Sequence, residues 1–162
     1  MKPIVVSDAG PLIALAKLDL LSLLPQIFSI IYIPETVFEE ATKNQQREDA
    51  RIIANFKSSQ VNVVTDLDNS FTESLKILLD DGEIQALSHA KALNCGVLMD
   101  EKRGRQVAIQ HDIPIIGVIG VLLQAKEKGL ILEIKSYLEA LQNADYRLSG
   151  ALLDKALDLA GE

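Results

Sequence analysis

The chain has 162 residues, 48% of them hydrophobic, one cysteine and a formal net charge of −7. That is enough apolar material for one domain around one core, and it excludes wholesale disorder and an intrachain disulfide. The acidic balance argues against a sticky, non-specific nucleic-acid binder, which is usually basic.

In chain order, Ile4 to Val6 form the centre of a strand expected over about 3–7, which stops on Asp8. Pro11 suits a first helical turn, so a helix is expected from Pro11 to about Lys17, with Leu12, Leu15 and Ala16 on one face. A leucine-rich stretch continues to Phe28 and leads into a second β-branched strand, SIIYI, at 29–33. Pro34 opens the helix PETVFEEATK. A short helix from about Asp49 to Phe56 and the strand VNVV at 61–64 follow. Residues 65–73 are polar and are expected to form a loop, ahead of helices from about Ser74 to Leu79 and from about Gly82 to Leu93. A strand at 97–99 ends on Asp100, and a helix over about 101–111 follows at once. Pro114, Ile115 and Ile116 begin a fifth strand, and Gly117 and Gly120 flank the turn into a helix ending near Gly129. A helix over about 132–142 and a last amphipathic one capped by Ser149 complete the chain. Short strands alternating with helices indicate an α/β fold, a three-layer sandwich around a central parallel sheet, in a single domain spanning 1–162.

Two strands that each deliver an aspartate to one sheet edge mark that edge as the site, because residues just past the carboxyl ends of parallel strands line the ligand crevice. Glu83 lies on the same helical face as Ala86, Leu87, Ala90 and Leu93, whereas Gln85 and His89 point away from it. A carboxylate heading a buried stripe needs a partner; equally, Asp80 and Glu83 have capping-box spacing. In the helix after Pro34, Glu40 lies beside Val37 and Ala41, while Glu39 faces the opposite way. An ordinary surface glutamate also fits Glu40.

Asp8, Glu40, Glu83 and Asp100 would together make a pocket of oxygen ligands that suits Mg²⁺ or Mn²⁺. Such a pocket is unstable without cations, because like charges raise one another's pKa. His89 and His111 stand apart in the sequence, offer no zinc pattern and read as surface residues. Hydrated Mg²⁺ held by carboxylates is the usual equipment for phosphodiester hydrolysis. Lys102, Arg103 and Arg105 follow Asp100 and are candidates for holding a phosphate backbone, or for a solvated helix face. A receiver-type signalling domain would need an acidic pair after the first strand and a lysine at the end of the last; Asp8 has no acidic neighbour and 114–121 contains no lysine.

The segments IVVSDAGPLIALAKL, IPETVFEEA, DDGEIQALSHAKAL and GVLMDEKRGRQVA resemble, in order, the four acidic motifs of PIN-domain nucleases. The later segments IPIIGVIGVLLQAKEKGLI and YRLSGALLDKALDLAGE are similar to a prokaryotic subgroup related to VapC-type toxins. Carried over by position, the acids of the family's site fall on Asp8, Glu40, Glu83 and Asp100, as both metal ligands and catalytic groups. Ala9 and Gly10 stand where many PIN domains carry Thr or Ser. The resemblance implies a Mg²⁺- or Mn²⁺-dependent ribonuclease acting on RNA, usually paired with a small protein antitoxin and often a homodimer. A PIN-fold protein without catalysis, acting as a binding or regulatory partner, is the alternative. The Leu18–Leu24 stretch and the first helix offer a surface for self-association, or else simply core. The N-terminal apolar run is too short for a secretory signal and no apolar run reaches membrane-spanning length, so a cytoplasmic protein without membrane contact is expected.

Overall fold

A computed structural model describes residues 2–162. Five parallel strands, β1 (Ile4–Ser7), β2 (Ile30–Pro34), β3 (Val61–Val64), β4 (Gly96–Leu98) and β5 (Ile115–Ile116), form one sheet in the order β3-β2-β1-β4-β5. Side chains alternate across it: Val5 and Leu98 enter one apolar core, and Val6, Val97 and Met99 enter the other. The first core is closed by α1 (Ala9–Lys17), α2 (Leu23–Ile27), α3 (Glu35–Thr42), α4 (Glu48–Ala54), α8 (Val118–Glu127), α9 (Lys135–Asn143) and α10 (Gly150–Ala160). The second is closed by α5 (Ser70–Leu75), α6 (Asp81–Leu93) and α7 (Lys102–Gln110). The result is the expected three-layer α/β sandwich.

Three expectations need correction. The region 65–73 is not all loop: Asn69 accepts the Thr72 amide (2.9 Å) while the Thr72 hydroxyl accepts the Asn69 amide (2.9 Å), and this reciprocal cap starts α5 at Ser70. The helix expected over 74–79 accordingly ends at Leu75. The leucine-rich stretch is core rather than a free surface, because Leu12, Leu15, Leu21, Leu23 and Leu24 are all buried. Finally, Gln85 and His89 do not face solvent. The segment after β3, with α5, covers that side of α6 and buries both residues, whereas Leu93 at the end of the expected stripe is 43% exposed. His111 is exposed, as expected, with its ring edge-on to Phe71.

No helix among the described residues is long and apolar enough to cross a membrane.

Candidate active site

The strand order reverses between β1 and β4, and that is where a parallel sheet opens a crevice. The two strand ends are stitched together there, since the Asp8 amide donates to the Leu98 carbonyl (2.9 Å). Asp8 then becomes the N-cap of α1, and its buried carboxylate faces a cleft of about 990 Å³. Glu40 of α3, Asp80 and Glu83 at the head of α6, and Asp100 beyond β4 line the same cleft. The four acids singled out in the sequence are therefore brought together, and Glu39 is not among the lining residues.

Their approach depends on Gly82. A Cβ at that position would sit 2.7 Å from Oε2 of Glu40 and 3.6 Å from Oδ1 of both Asp8 and Asp80. Three carboxylates from three segments thus converge where only a hydrogen stands. At the head of α6, Glu83 donates its amide to Oδ1 of Asp80 (2.9 Å), and the Asp80 amide donates to Oε1 of Glu83 (3.2 Å). This capping box uses one oxygen of Glu83. The other, Oε2, is buried without a hydrogen-bond partner.

Asp100 is held differently. The Val118 amide at the start of α8 donates to its two oxygens (3.3 and 3.2 Å), the Tyr146 hydroxyl donates to Oδ2, and the Arg105 guanidinium lies 3.7 Å from Oδ1. Gly117 leaves room for this arrangement, since a Cβ there would collide with Oδ1 of Asp100 and lie 3.0 Å from Nη1 of Arg105.

Electrostatics follow from this crowding. Burial, then the charges of Asp80, Glu40 and Glu101, push the Asp8 carboxyl up to about 7. Burial, then hydrogen bonding with Asp80, pushes Glu83 up to about 7, and burial with the Asp80 charge raises Glu40. Carboxyls pushed so high would ionise more readily with a positive charge among them. The donors are all oxygens, and Glu83 Oε2 is an acceptor with nothing to accept from. These residues fit a hard divalent cation such as Mg²⁺ or Mn²⁺. Among the described residues no three Asp, Glu, His or Cys groups form a ready-made metal cage.

A family model described as a PIN domain matches residues 4–162. The chain belongs to the PIN-domain family. PIN domains are a nuclease fold family and usually bind divalent metals. Among solved structures, a PilT N-terminus domain protein from the hyperthermophilic archaeon Sulfolobus solfataricus P2 is similar at 15% identity and a TM-score of 0.49, covering 75% of this chain and 92% of its own. No curated protein matches the chain.

In this PIN domain the basic residues after Asp100 divide. Lys102 and Arg105 line the cleft, but Arg105 points inward at Asp100 and at the Met99 carbonyl (3.5 Å). Arg103 faces a neighbouring depression with Ile77, Leu78 and Glu101 instead, because one residue along a helix turns a side chain by about 100°. Sequence reasoning treated Asp80 only as a cap and missed Tyr146 and Arg147, which also line the cleft. Asp80 had a visible signal, a carboxylate one turn ahead of Glu83 at a helix start. Tyr146 had none, being 46 residues from the acid it touches.

Proposed function

We propose that the chain is a Mg²⁺- or Mn²⁺-dependent endoribonuclease that hydrolyses RNA phosphodiester bonds, and that it is the toxin of a toxin–antitoxin pair of the VapC-like kind. The observation that carries this reading is the meeting of Asp8, Glu40, Asp80 and Glu83 in one cleft of a PIN domain, with a buried and unpartnered Glu83 oxygen. Asp8, Glu40, Glu83 and Asp100 are the residues that would hold the ion, with Asp80 beside them. A bound divalent cation lowers the pKa of water and stabilises charge on a phosphate.

The chain's own residues supply the rest. Asp8 and Glu83, both buried and both lining the cleft, fix the anionic centre. Lys102 and Arg147 stand at the cleft as the cations able to take the phosphates on either side of a scissile bond. A small protein antitoxin would act by laying a segment across the same cleft. Homodimerisation and a cytoplasmic location belong to this reading too.

The test is cleavage of a mixed RNA substrate with Mn²⁺ and with EDTA, beside Asp8→Asn. Cleavage is expected only with the cation, and only in the wild type. Cleavage that survives EDTA or Asp8→Asn would count against the reading.

A further inference from the structure

Between α9 and α10 the chain makes a turn that is tied directly to the candidate site. Asp145 has φ 63°, the left-handed conformation that ends a helix. The Asp145 amide donates to the Gln142 carbonyl (3.1 Å) and the Tyr146 amide donates to the Leu141 carbonyl (2.9 Å). That pair of bonds is a Schellman closure, and it reverses the chain at the end of α9. Tyr146 and Leu148 then pack their apolar parts against the larger core. The Tyr146 ring is half buried, and its hydroxyl reaches Oδ2 of Asp100. At the other end of α10, Glu162 accepts the amides of Ile134 (2.8 Å) and Lys135 (3.1 Å) at the start of α9 and pairs with Lys126 of α8 (2.9 Å). The α9–α10 hairpin is thus fixed at both ends.

We propose that Tyr146 is a positioning residue: its hydroxyl, with the Val118 amide and Arg105, sets the orientation of the Asp100 carboxylate toward the cation site. The inference rests on the divalent-metal reading given above. Asp100 differs from the other acids of the cleft in receiving donors from side chains, and those donors come from two separate elements. A carboxylate at the end of a short loop has free rotation about its χ angles, and two or three donors remove it. Groups that hydrogen-bond to a metal ligand in this way typically matter by about 10–100-fold in metal affinity or activity. A phenol keeps its proton at neutral pH, so the Tyr146 hydroxyl stands as a donor to the Asp100 carboxylate.

The experiment measures Mn²⁺ binding by the intact chain in wild type, Tyr146→Phe and Leu153→Ala, alongside melting in EDTA and RNA cleavage. Leu153 packs on the same core from α10 and offers no hydroxyl. Affinities are compared at a temperature where the EDTA melts show all three folded. Tyr146→Phe is expected to weaken Mn²⁺ binding about tenfold or more, and Leu153→Ala to lower the melting temperature while leaving Mn²⁺ affinity intact. Equal Mn²⁺ affinity in wild type and Tyr146→Phe overturns the positioning role and leaves the metal site standing. Equal losses in both variants overturn it as well, by reducing Tyr146 to packing. A wild type that binds no Mn²⁺ overturns this inference and the metal reading together. A wild type that binds Mn²⁺ but cuts no RNA sinks only the nuclease reading, and the Tyr146→Phe comparison still decides this one.

Discussion

Glu40 enters the cleft because Gly82 has no side chain to keep it out. Its neighbour Glu39 shares its chemistry and exposure but not its direction. Glu40→Gln is therefore expected to lower RNA cleavage and Mn²⁺ affinity about tenfold or more, with Glu39→Gln close to wild type; equal losses in a side-by-side assay would show that direction is not what matters. Asp80 poses a sharper question, since one side chain both caps α6 and adds charge to the cleft. Asparagine caps a helix about as well as aspartate. Asp80→Asn should thus melt at or above the wild-type temperature in EDTA, because repulsion is relieved, and gain less from added Mn²⁺. Asp80→Ala loses the cap as well, about 1 kcal/mol. Asp8 and Asp100 were legible in the sequence because a carboxylate straight after an apolar strand has few other reasons to be there. Helical phase separated Glu40 from Glu39 but left it open to being a surface glutamate, and the family resemblance was needed to put it in the site. Asp80 was hidden by its second role, and Tyr146 by its distance along the chain.

At the level of elements, α6 shows why periodicity sees only part of a helix. Its stripe of Ala86, Leu87 and Ala90 was visible as one apolar face, and it is buried. The opposite side is buried too, beneath residues 65–69 and α5, but it carries polar residues that look the same in sequence as solvent-facing ones. Gln85 makes the cover possible: its Oε1 accepts the Leu67 amide (2.7 Å) and its Nε2 donates to the Leu67 carbonyl (2.8 Å), so it substitutes for a missing strand partner. His89 lies beneath the same cover with Nε2 unpartnered, and burial pushes its pKa down. Gln85→Ala should strip both bonds from Leu67 and cost about 1–3 kcal/mol. Urea unfolding would measure that loss, and amide exchange should quicken at 65–69 before it does elsewhere. If exchange there is unchanged, Gln85 is not what holds the segment. The strands, by contrast, were legible to within about one residue at most ends, since short β-branched runs set off by turn residues and prolines read as strands whether central, as β1 and β4 are, or at the sheet edge, as β3 is.

For the molecule as a whole, the cleft is a store of electrostatic repulsion, and folding must keep it closed. Helices α1, α6 and α8 all begin at its edge, and their amide-rich ends offset part of the negative charge. The rest is handled by protons when no cation is present. Asp8 and Glu83 have ordinary values of 3.8 and 4.5, and in the folded protein both stand at about 7. Between those limits the folded chain holds protons that the unfolded chain has released, so stability falls as pH rises and levels off above about 7. His89 works the other way across this window, because its lowered pKa favours the neutral form that folding buries. The comparison that isolates the acids is therefore between wild type and Asp8→Asn. In EDTA, the drop in melting temperature from pH 5 to pH 7.5 is expected to be larger in the wild type, since Asp8→Asn removes one raised carboxyl and relieves Glu83 of its charge. With Mn²⁺ or Mg²⁺ present the sign reverses: protons compete with the cation for the same oxygens, so the stabilisation it brings should grow over the same pH range. A pH profile identical in the two proteins, or a cation effect that does not grow with pH, would show that the cleft is not where this chain takes up its protons.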